Sequence, residues 1–252
     1  MKSSFLLSVV IPSYNELTNL RKGTLDKVEH YLERKKYNYE VIVVDDRSDD
    51  GSLEFVREFV RENPKFRIIE NNHTGKAGAV TAGVLAAKGD YILFTDMDQA
   101  TPIEEVEKLL EAAQNGNDIV IGSRSTKRKG SPLIRQFISR STIILRKLVV
   151  GMHDISDTQC GFKLFSQKAA HDIFERVREI HHGFKSIHGS SVTAGFDIEL
   201  LYVGKKLGYR IKEVPVDWLY VETRRVSPMK DSVEGLMDLL RIKRNIMSGI
   251  YD

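Results

Sequence analysis

Tyr91-Ile92-Leu93-Phe94-Thr95-Asp96-Met97-Asp98-Gln99-Ala100-Thr101 is the stretch from which the fold is read. A short apolar run of strand length delivers two carboxylates, Asp96 and Asp98, at its end. Asp-x-Asp in a turn after a buried strand suits a hard divalent cation, Mg²⁺ or Mn²⁺. Such an ion needs only one or two protein carboxylates and takes phosphate oxygens and water for the rest. The same residues also cap strand ends and helix starts in the ordinary way, so the neighbours must decide.

Upstream, the apolar run 5–11 ends in Pro12-Ser13-Tyr14-Asn15-Glu16. The run Tyr39-Glu40-Val41-Ile42-Val43-Val44 ends in Asp45-Asp46-Arg47-Ser48-Asp49-Asp50-Gly51-Ser52. Asn71-Asn72-His73-Thr74-Gly75-Lys76-Ala77-Gly78 then leads into an Ala-rich helix at 79–87. Strands near 5–11, 39–45, 66–70, 91–95 and 118–122 alternate with helices near 17–36, 52–62, 76–88 and 103–114. That rhythm predicts an α/β fold, a mostly parallel sheet flanked by helices. In an open sheet of this kind ligands bind at the carboxyl ends of the strands, where these polar turns fall. Beyond Gly122 the rhythm changes: a basic helix near 132–150, a strand in Asp157–Phe165, an irregular Gly/Ser/His-rich stretch at 181–195, a helix near 197–207, a strand near 210–216 and a last amphipathic helix near 231–248.

With 252 residues, 41% of them hydrophobic, the chain can bury a sizeable core. The one cysteine, Cys160, excludes an internal disulfide and reads as a packing residue in a reducing compartment. Net charge is only +3. Arg124, Lys127, Arg128, Lys129, Arg135, Arg140, Arg146 and Lys147 crowd one stretch, and Arg241, Lys243 and Arg244 another, without the interleaved aromatics that stack bases, so no nucleic-acid partner is expected. The run 5–11 feeds straight into Pro-Ser-Tyr-Asn-Glu and reads as a core strand rather than a secretory signal. No segment approaches the length of a spanning helix.

In order, these motifs resemble those of the family 2 glycosyltransferases: VIPxYNE, VVDDxSxDGS, a Gly-Lys turn and DxD. The resemblance runs from Ser8 to Lys163 and implies the GT-A nucleotide-sugar-binding fold in one domain, 1–252, with a donor half (1–122) and an acceptor half (123–252). Asp157-Thr158-Gln159-Cys160-Gly161-Phe162-Lys163-Leu164-Phe165 and Gly195-Phe196-Asp197-Ile198-Glu199-Leu200-Leu201 are similar to the branch that transfers sugars to polyprenyl phosphates. Within it, dolichyl-phosphate β-glucosyltransferases are the nearer match and mannose synthases the further.

Carried over residue by residue, the resemblance implies Asp98 as main metal ligand, with Asp96 on the metal or the ribose. It implies Pro12, Tyr14, Glu16, Asp45, Asp46, Lys76 and Met97 around the nucleotide sugar. DMDQAT matches the glucosyl pattern DxDGAT better than the mannosyl DxDxQ, which leaves a ligand role for Gln99 open. A lipid phosphate is already ionised near neutral pH and needs cations to hold it. Arg124 matches the family arginine near the phosphates, with Arg135 and either Arg224 or Arg225 as further candidates. The relatives carry Gly-Ser-Lys where this chain has Thr223-Arg224-Arg225. Asp197 stands where hydroxyl-directed relatives keep a catalytic carboxylate; its other reading is an N-cap for a helix starting at Ile198. Lys76 has a second reading as a solvated lysine, and His181, His182 and His188 read as loop residues.

The function implied is inverting, metal-dependent transfer of a hexose, glucose from UDP-glucose, to a polyprenyl or dolichyl phosphate. Mannose from GDP-mannose, a glycan-hydroxyl acceptor with Asp197 as base, and a non-catalytic nucleotide-binding module are the alternatives. Pro132–Val150 and 231–248 mix apolar side chains with Arg140, Arg146, Lys147, Arg241, Lys243 and Arg244. That pattern reads as peripheral attachment to the cytoplasmic face of a membrane, or as packing in the core or a homodimer.

Overall fold

The computed structural model describes residues 5–124, 151–152, 155–186, 194–219 and 228–252, with the backbone alone for 194 and 228–234. Seven strands form one sheet: β1 (Leu6–Ser13), β2 (Asn38–Asp45), β3 (Phe66–Glu70), β4 (Tyr91–Thr95), β5 (Ile119–Arg124), β6 (Phe162–Ser166) and β7 (Ile211–Val216). Their order is β3-β2-β1-β4-β6-β5-β7. β1 pairs parallel with β2 and β4, β2 with β3, and β5 with β7. β6 enters antiparallel between β4 and β5.

The central strands are apolar on both faces because both are covered. On one face Val10, Ile42, Val44 and Phe94 pack under α4 (Gly75–Ala86), α6 (Gln167–Ile180), α7 (Ala194–Lys206) and α8 (Pro228–Met247). On the other, Val9, Ile11, Val41 and Val43 meet α2 (Thr24–Glu33), α3 (Ser52–Glu62) and α5 (Val106–Gln114). The α/β architecture is the one read from the sequence.

Two elements differ from that reading. The expected helix 17–36 is α1 (Leu17–Leu20) followed by α2, because Gly23 takes φ +74° between them, a left-handed conformation that stops one helix and starts the next. The second is α6, a full helix where the sequence was given no element. Ser166 caps it by accepting from the Ala169 N–H, and Ala169, Ala170, Ile173, Phe174 and Val177 form its buried stripe. Phe174 meets Phe165 edge to face with centroids 5.4 Å apart, and burying such a ring stabilises by roughly 2 kcal/mol.

Candidate active site

The ends of β1 and β2 and the turn before α4 are laced together. Asn15, at φ +54°, donates from its backbone N–H to Ser48 Oγ (3.0 Å), and from Nδ2 to Asp49 Oδ1 (2.8 Å). The Glu16 N–H reaches Ser52 Oγ at 2.8 Å, which places Glu16 at the start of α1. Asp45 is buried and accepts from both the N–H and the hydroxyl of Ser48; burial pushes its carboxyl above the usual aspartate value although these bonds oppose the shift. Asp46 accepts from the backbone N–H groups of Thr74 (2.9 Å) and Gly75 (2.8 Å) and from Asn71 Nδ2 (2.7 Å). It therefore caps the N-terminus of α4 from another element, where a carboxylate also suits the helix dipole. Tyr14 faces His73 with ring centroids 4.6 Å apart. Pro12 pairs with Val44 in the β1–β2 ladder.

β4 delivers Asp96 and Asp98 next to these turns. The Met97 side chain between them turns into the core, 2% exposed. Lys76, in the first turn of α4, reaches across to Asp96 Oδ1 at 2.6 Å. Burial disfavours its charge, but Asp96, Asp197 and Asp98 outweigh that and hold its ammonium above the usual lysine value. Asp98 Oδ1 accepts from the Ala100 N–H at 3.0 Å; burial, with some help from the charge of Asp96, pushes its carboxyl up. A Cβ at Gly161 would lie 2.0 Å from Asp96 Oδ2, so a side chain there would displace that carboxylate.

A cavity of about 360 Å³ lies between α4 and α6 and lacks these carboxylates, which line a smaller one. The smaller, about 180 Å³, holds the chemistry: Asp96, Asp98, Arg124, Gln159, Cys160, Gly161 and Trp218 are among its walls. Arg124 enters it on a two-pronged bond to Asp157, Nε–Oδ2 2.7 Å and Nη2–Oδ1 2.8 Å. Its guanidinium stands 5.9 Å from the Trp218 ring. Burial opposes both charges, yet the pairing raises the arginine further and draws the Asp157 carboxyl down. The Leu219 N–H donates to Ala100 O at 2.7 Å, tying the chain after β7 over the Asp-x-Asp turn.

Asp197 lies in the first turn of α7, which begins at Ala194, so it is not that helix's N-cap. It is ion-paired to Lys163 of β6. Two residues on, Glu199 accepts from Tyr251 Oη at 2.5 Å and pairs with His181 Nε2 at 2.6 Å. Burial would raise its carboxyl, but His181, then Tyr251, draws it down. Lys163 was not singled out in the sequence as a site residue. Its signal was a lysine inside the apolar strand Phe162-Lys163-Leu164-Phe165, a residue type that is almost never fully buried without a partner. Asp157 carries the subtler signal of an acid beside the same strand. Arg135, Arg224, Arg225, His188 and the segment 132–150 lie outside the described residues.

The donor set fits Mg²⁺ or Mn²⁺. Asp96 and Asp98 share one cavity, and Gln99 Oε1 is buried without a hydrogen-bond partner among the described residues. Oxygen donors of this kind suit either ion, whose remaining positions phosphate and water fill. Among the described residues no cluster of three or more His, Cys, Asp or Glu side chains forms a closed cage.

The chain is similar to known proteins in sequence and in fold. The chain is 30% identical to a dolichyl-phosphate beta-glucosyltransferase of Dictyostelium discoideum over 97% of this chain and 76% of the relative. It is 32% identical to that of Homo sapiens, over 97% and 77%. Among solved structures, glucosyl-3-phosphoglycerate synthase from Mycobacterium tuberculosis in complex with UDP superposes with TM-score 0.63 at 18% identity, covering 96% of this chain and 81% of that one. Mannosyl-3-phosphoglycerate synthase from Rubrobacter xylanophilus gives 0.64 at 14%, covering 97% and 75%. The glycosyl transferase family 2 model matches residues 8–174, the span that holds both carboxylates of the Asp-x-Asp turn, β2 to β6 and all of β1 but its first two residues; the chain is a glycosyltransferase and belongs to glycosyl transferase family 2.

Proposed function

We infer that the chain transfers glucose from UDP-glucose to the phosphate of a dolichyl or other polyprenyl phosphate, with inversion at the anomeric carbon. The observation that carries the reading is one cavity lined both by a carboxylate pair and by the anchored guanidinium of Arg124. The names of the relatives support the acceptor and the sugar.

A lipid phosphate oxygen attacks the anomeric carbon from the side opposite the diphosphate, the anomeric C–O bond breaks, and UDP departs. A single displacement of this kind inverts configuration. No proton has to leave the nucleophile, so the site needs cations to position it rather than a base. Arg124 suits that work because it lines the cavity and Asp157 fixes its plane. Asp98 and Asp96 would hold a Mg²⁺ or Mn²⁺ ion, which when bound neutralises charge on the leaving diphosphate. Asp45, Tyr14, Glu16, Lys76 and the backbone at Pro12, Asp46 and Met97 surround the nucleotide sugar in this reading.

The acceptor is a membrane lipid, and among the described residues no helix is long and apolar enough to cross a membrane. The attachment proposed is peripheral, at a cytoplasmic face, through α8. Leu239 and Ile242 are buried, while Leu236, Met237, Leu240 and Met247 are exposed, flanked by exposed Arg241, Lys243 and Arg244. Each such cation contributes about 1 kcal/mol at an anionic surface.

The test incubates the protein with radiolabelled UDP-glucose or GDP-mannose, Mn²⁺, and dolichyl phosphate in anionic or neutral vesicles. Glucosyl lipid formed from UDP-glucose, with salt-sensitive vesicle binding weakened by Leu240→Glu and Arg244→Glu, is the expected result. Labelled product from GDP-mannose alone, or equal transfer to a water-soluble hydroxyl acceptor, overturns the reading. Binding indifferent to lipid charge, or a dimer that buries α8, overturns the attachment.

A further inference from the structure

Trp218 is partly buried and is the one aromatic residue among the described walls of the carboxylate cavity, which Asp96, Asp98, Arg124 and Gln159 also line. The residues on either side of it are hydrogen-bonded to the segment that follows β4. The Asp217 N–H donates to Glu105 Oε2 at 3.0 Å, and the Leu219 N–H to the Ala100 carbonyl at 2.7 Å. Ala100 in turn donates its own N–H to Asp98 Oδ1 at 3.0 Å. One residue thus ties the Trp218 segment to the carboxylate of the Asp-x-Asp turn. The ring itself stands 5.9 Å from the Arg124 guanidinium, within the range of a cation–π contact. Trp218 is therefore fixed to the carboxylates through the backbone and meets Arg124 with its side chain.

In a single displacement the sugar lies between the departing diphosphate and the attacking phosphate. With Asp96 and Asp98 serving the first and Arg124 the second, the sugar ring occupies the space those residues share, where Trp218 stands. The chemistry of the walls suits that occupant. A pyranose carries hydroxyls around its edge and C–H groups on its faces. Carboxylates and a carboxamide can meet the edge, while a flat aromatic ring meets a face by apolar contact. An isoprenoid chain in the same place would desolvate charged walls and return no hydrogen bonds. The cavity measures about 180 Å³, the space of roughly six waters at about 30 Å³ each, on the scale of one sugar ring and not of a run of isoprene units. We propose that Trp218 determines donor specificity: its ring packs against a C–H face of the hexosyl group, so that the site holds the nucleotide sugar more tightly than the free nucleotide. This rests on the reading of the donor and acceptor given above.

The test measures UDP-glucose and UDP binding by calorimetry with Mn²⁺ on wild type, Trp218→Ala and Trp218→Phe, and the KM values for UDP-glucose and dolichyl phosphate in steady-state transfer. Trp218→Ala should weaken UDP-glucose about tenfold, the scale of one lost ring contact, and leave UDP within about twofold. Trp218→Phe, which keeps a ring, should recover most of that loss. The KM for UDP-glucose should rise in step while that for dolichyl phosphate stands. UDP affinity also reports that the variant is folded. Should Trp218→Ala fail to fold, Trp218→Leu keeps the apolar bulk without the flat face and should show the same split. Equal losses for UDP and UDP-glucose overturn the proposal, because the ring then serves the nucleotide or the turn. Unchanged UDP-glucose affinity with a raised KM for dolichyl phosphate also overturns it, by assigning the ring to the acceptor. If wild type prefers GDP-mannose, the glucose reading fails by itself, and the same comparison made with GDP-mannose and GDP judges Trp218 by the same outcomes.

Discussion

The proposed donor and acceptor sides of the molecule are built in opposite ways. On the donor side, short turns that follow consecutive parallel strands bind one another: Asn15 to Ser48 and Asp49, Asp46 to the Thr74–Gly75 backbone, Lys76 to Asp96. On the acceptor side, partners come from β5, from the antiparallel strand β6 and the loop before it, from α7, and from the ends of α6 and of the chain. Lys163 pairs with Asp197, Arg124 with Asp157, and Glu199 with both His181 and Tyr251. The donor edge is thus rigid through local bonds between turns, whereas the acceptor edge is rigid through buried charge pairs between distant segments. A nucleotide diphosphate asks for a fixed cradle of backbone and carboxylate. A buried charge is kept where a partner from another segment meets it.

The contrast breaks most severely at the carboxylates of the donor side. Asp98→Ala, or removal of divalent ions with EDTA, should each lower sugar transfer by on the order of a thousandfold, the size of several kcal/mol of leaving-group stabilisation. Gln99→Ala should cost less, and labelled-lipid formation measures all three. A chelated enzyme that retains full turnover would remove the metal from the site.

Gly161 sharpens the comparison, because an acceptor-half residue there sets the space for a donor-half carboxylate. A methyl group at Gly161 would meet Asp96 Oδ2 at 2.0 Å. Relief of that overlap costs roughly 1–3 kcal/mol. Gly161→Ala should therefore weaken UDP binding in the presence of Mn²⁺ by about tenfold to a hundredfold, measured by calorimetry. Unchanged affinity would mean that Asp96 moves freely and that the two halves are independent.

The smallest effect tests the lacing itself. Asp46→Ala removes the acceptor for two backbone N–H groups at the start of α4, and a lost cap of this kind costs about 1–2 kcal/mol. Urea unfolding should shift by that amount without a change in slope. A larger loss in donor affinity than in stability would assign Asp46 to the ligand rather than to the helix.

The sequence alone determined the donor edge. Apolar runs, the polar turns that end them and their order along the chain are local features, and parallel strands joined by helices bring those turns to one edge without further instruction. Asp96, Asp98, Asp45 and Lys76 were legible for that reason. What the side chains do once there was less so: Asp46 spends its oxygens on the α4 backbone, and Met97 belongs to the core. The break at Gly23 and the helix 167–180 carried readable local signals, a glycine and a capped apolar stripe, and only the structure gave them their place. The acceptor edge was decided by tertiary structure. Nothing near Lys163 in the chain specifies its partner, because β6 enters the sheet antiparallel between β4 and β5. Asp197 arrives there on a helix 34 residues further along. A buried charge pair is a relation between two positions, and a sequence displays positions one at a time.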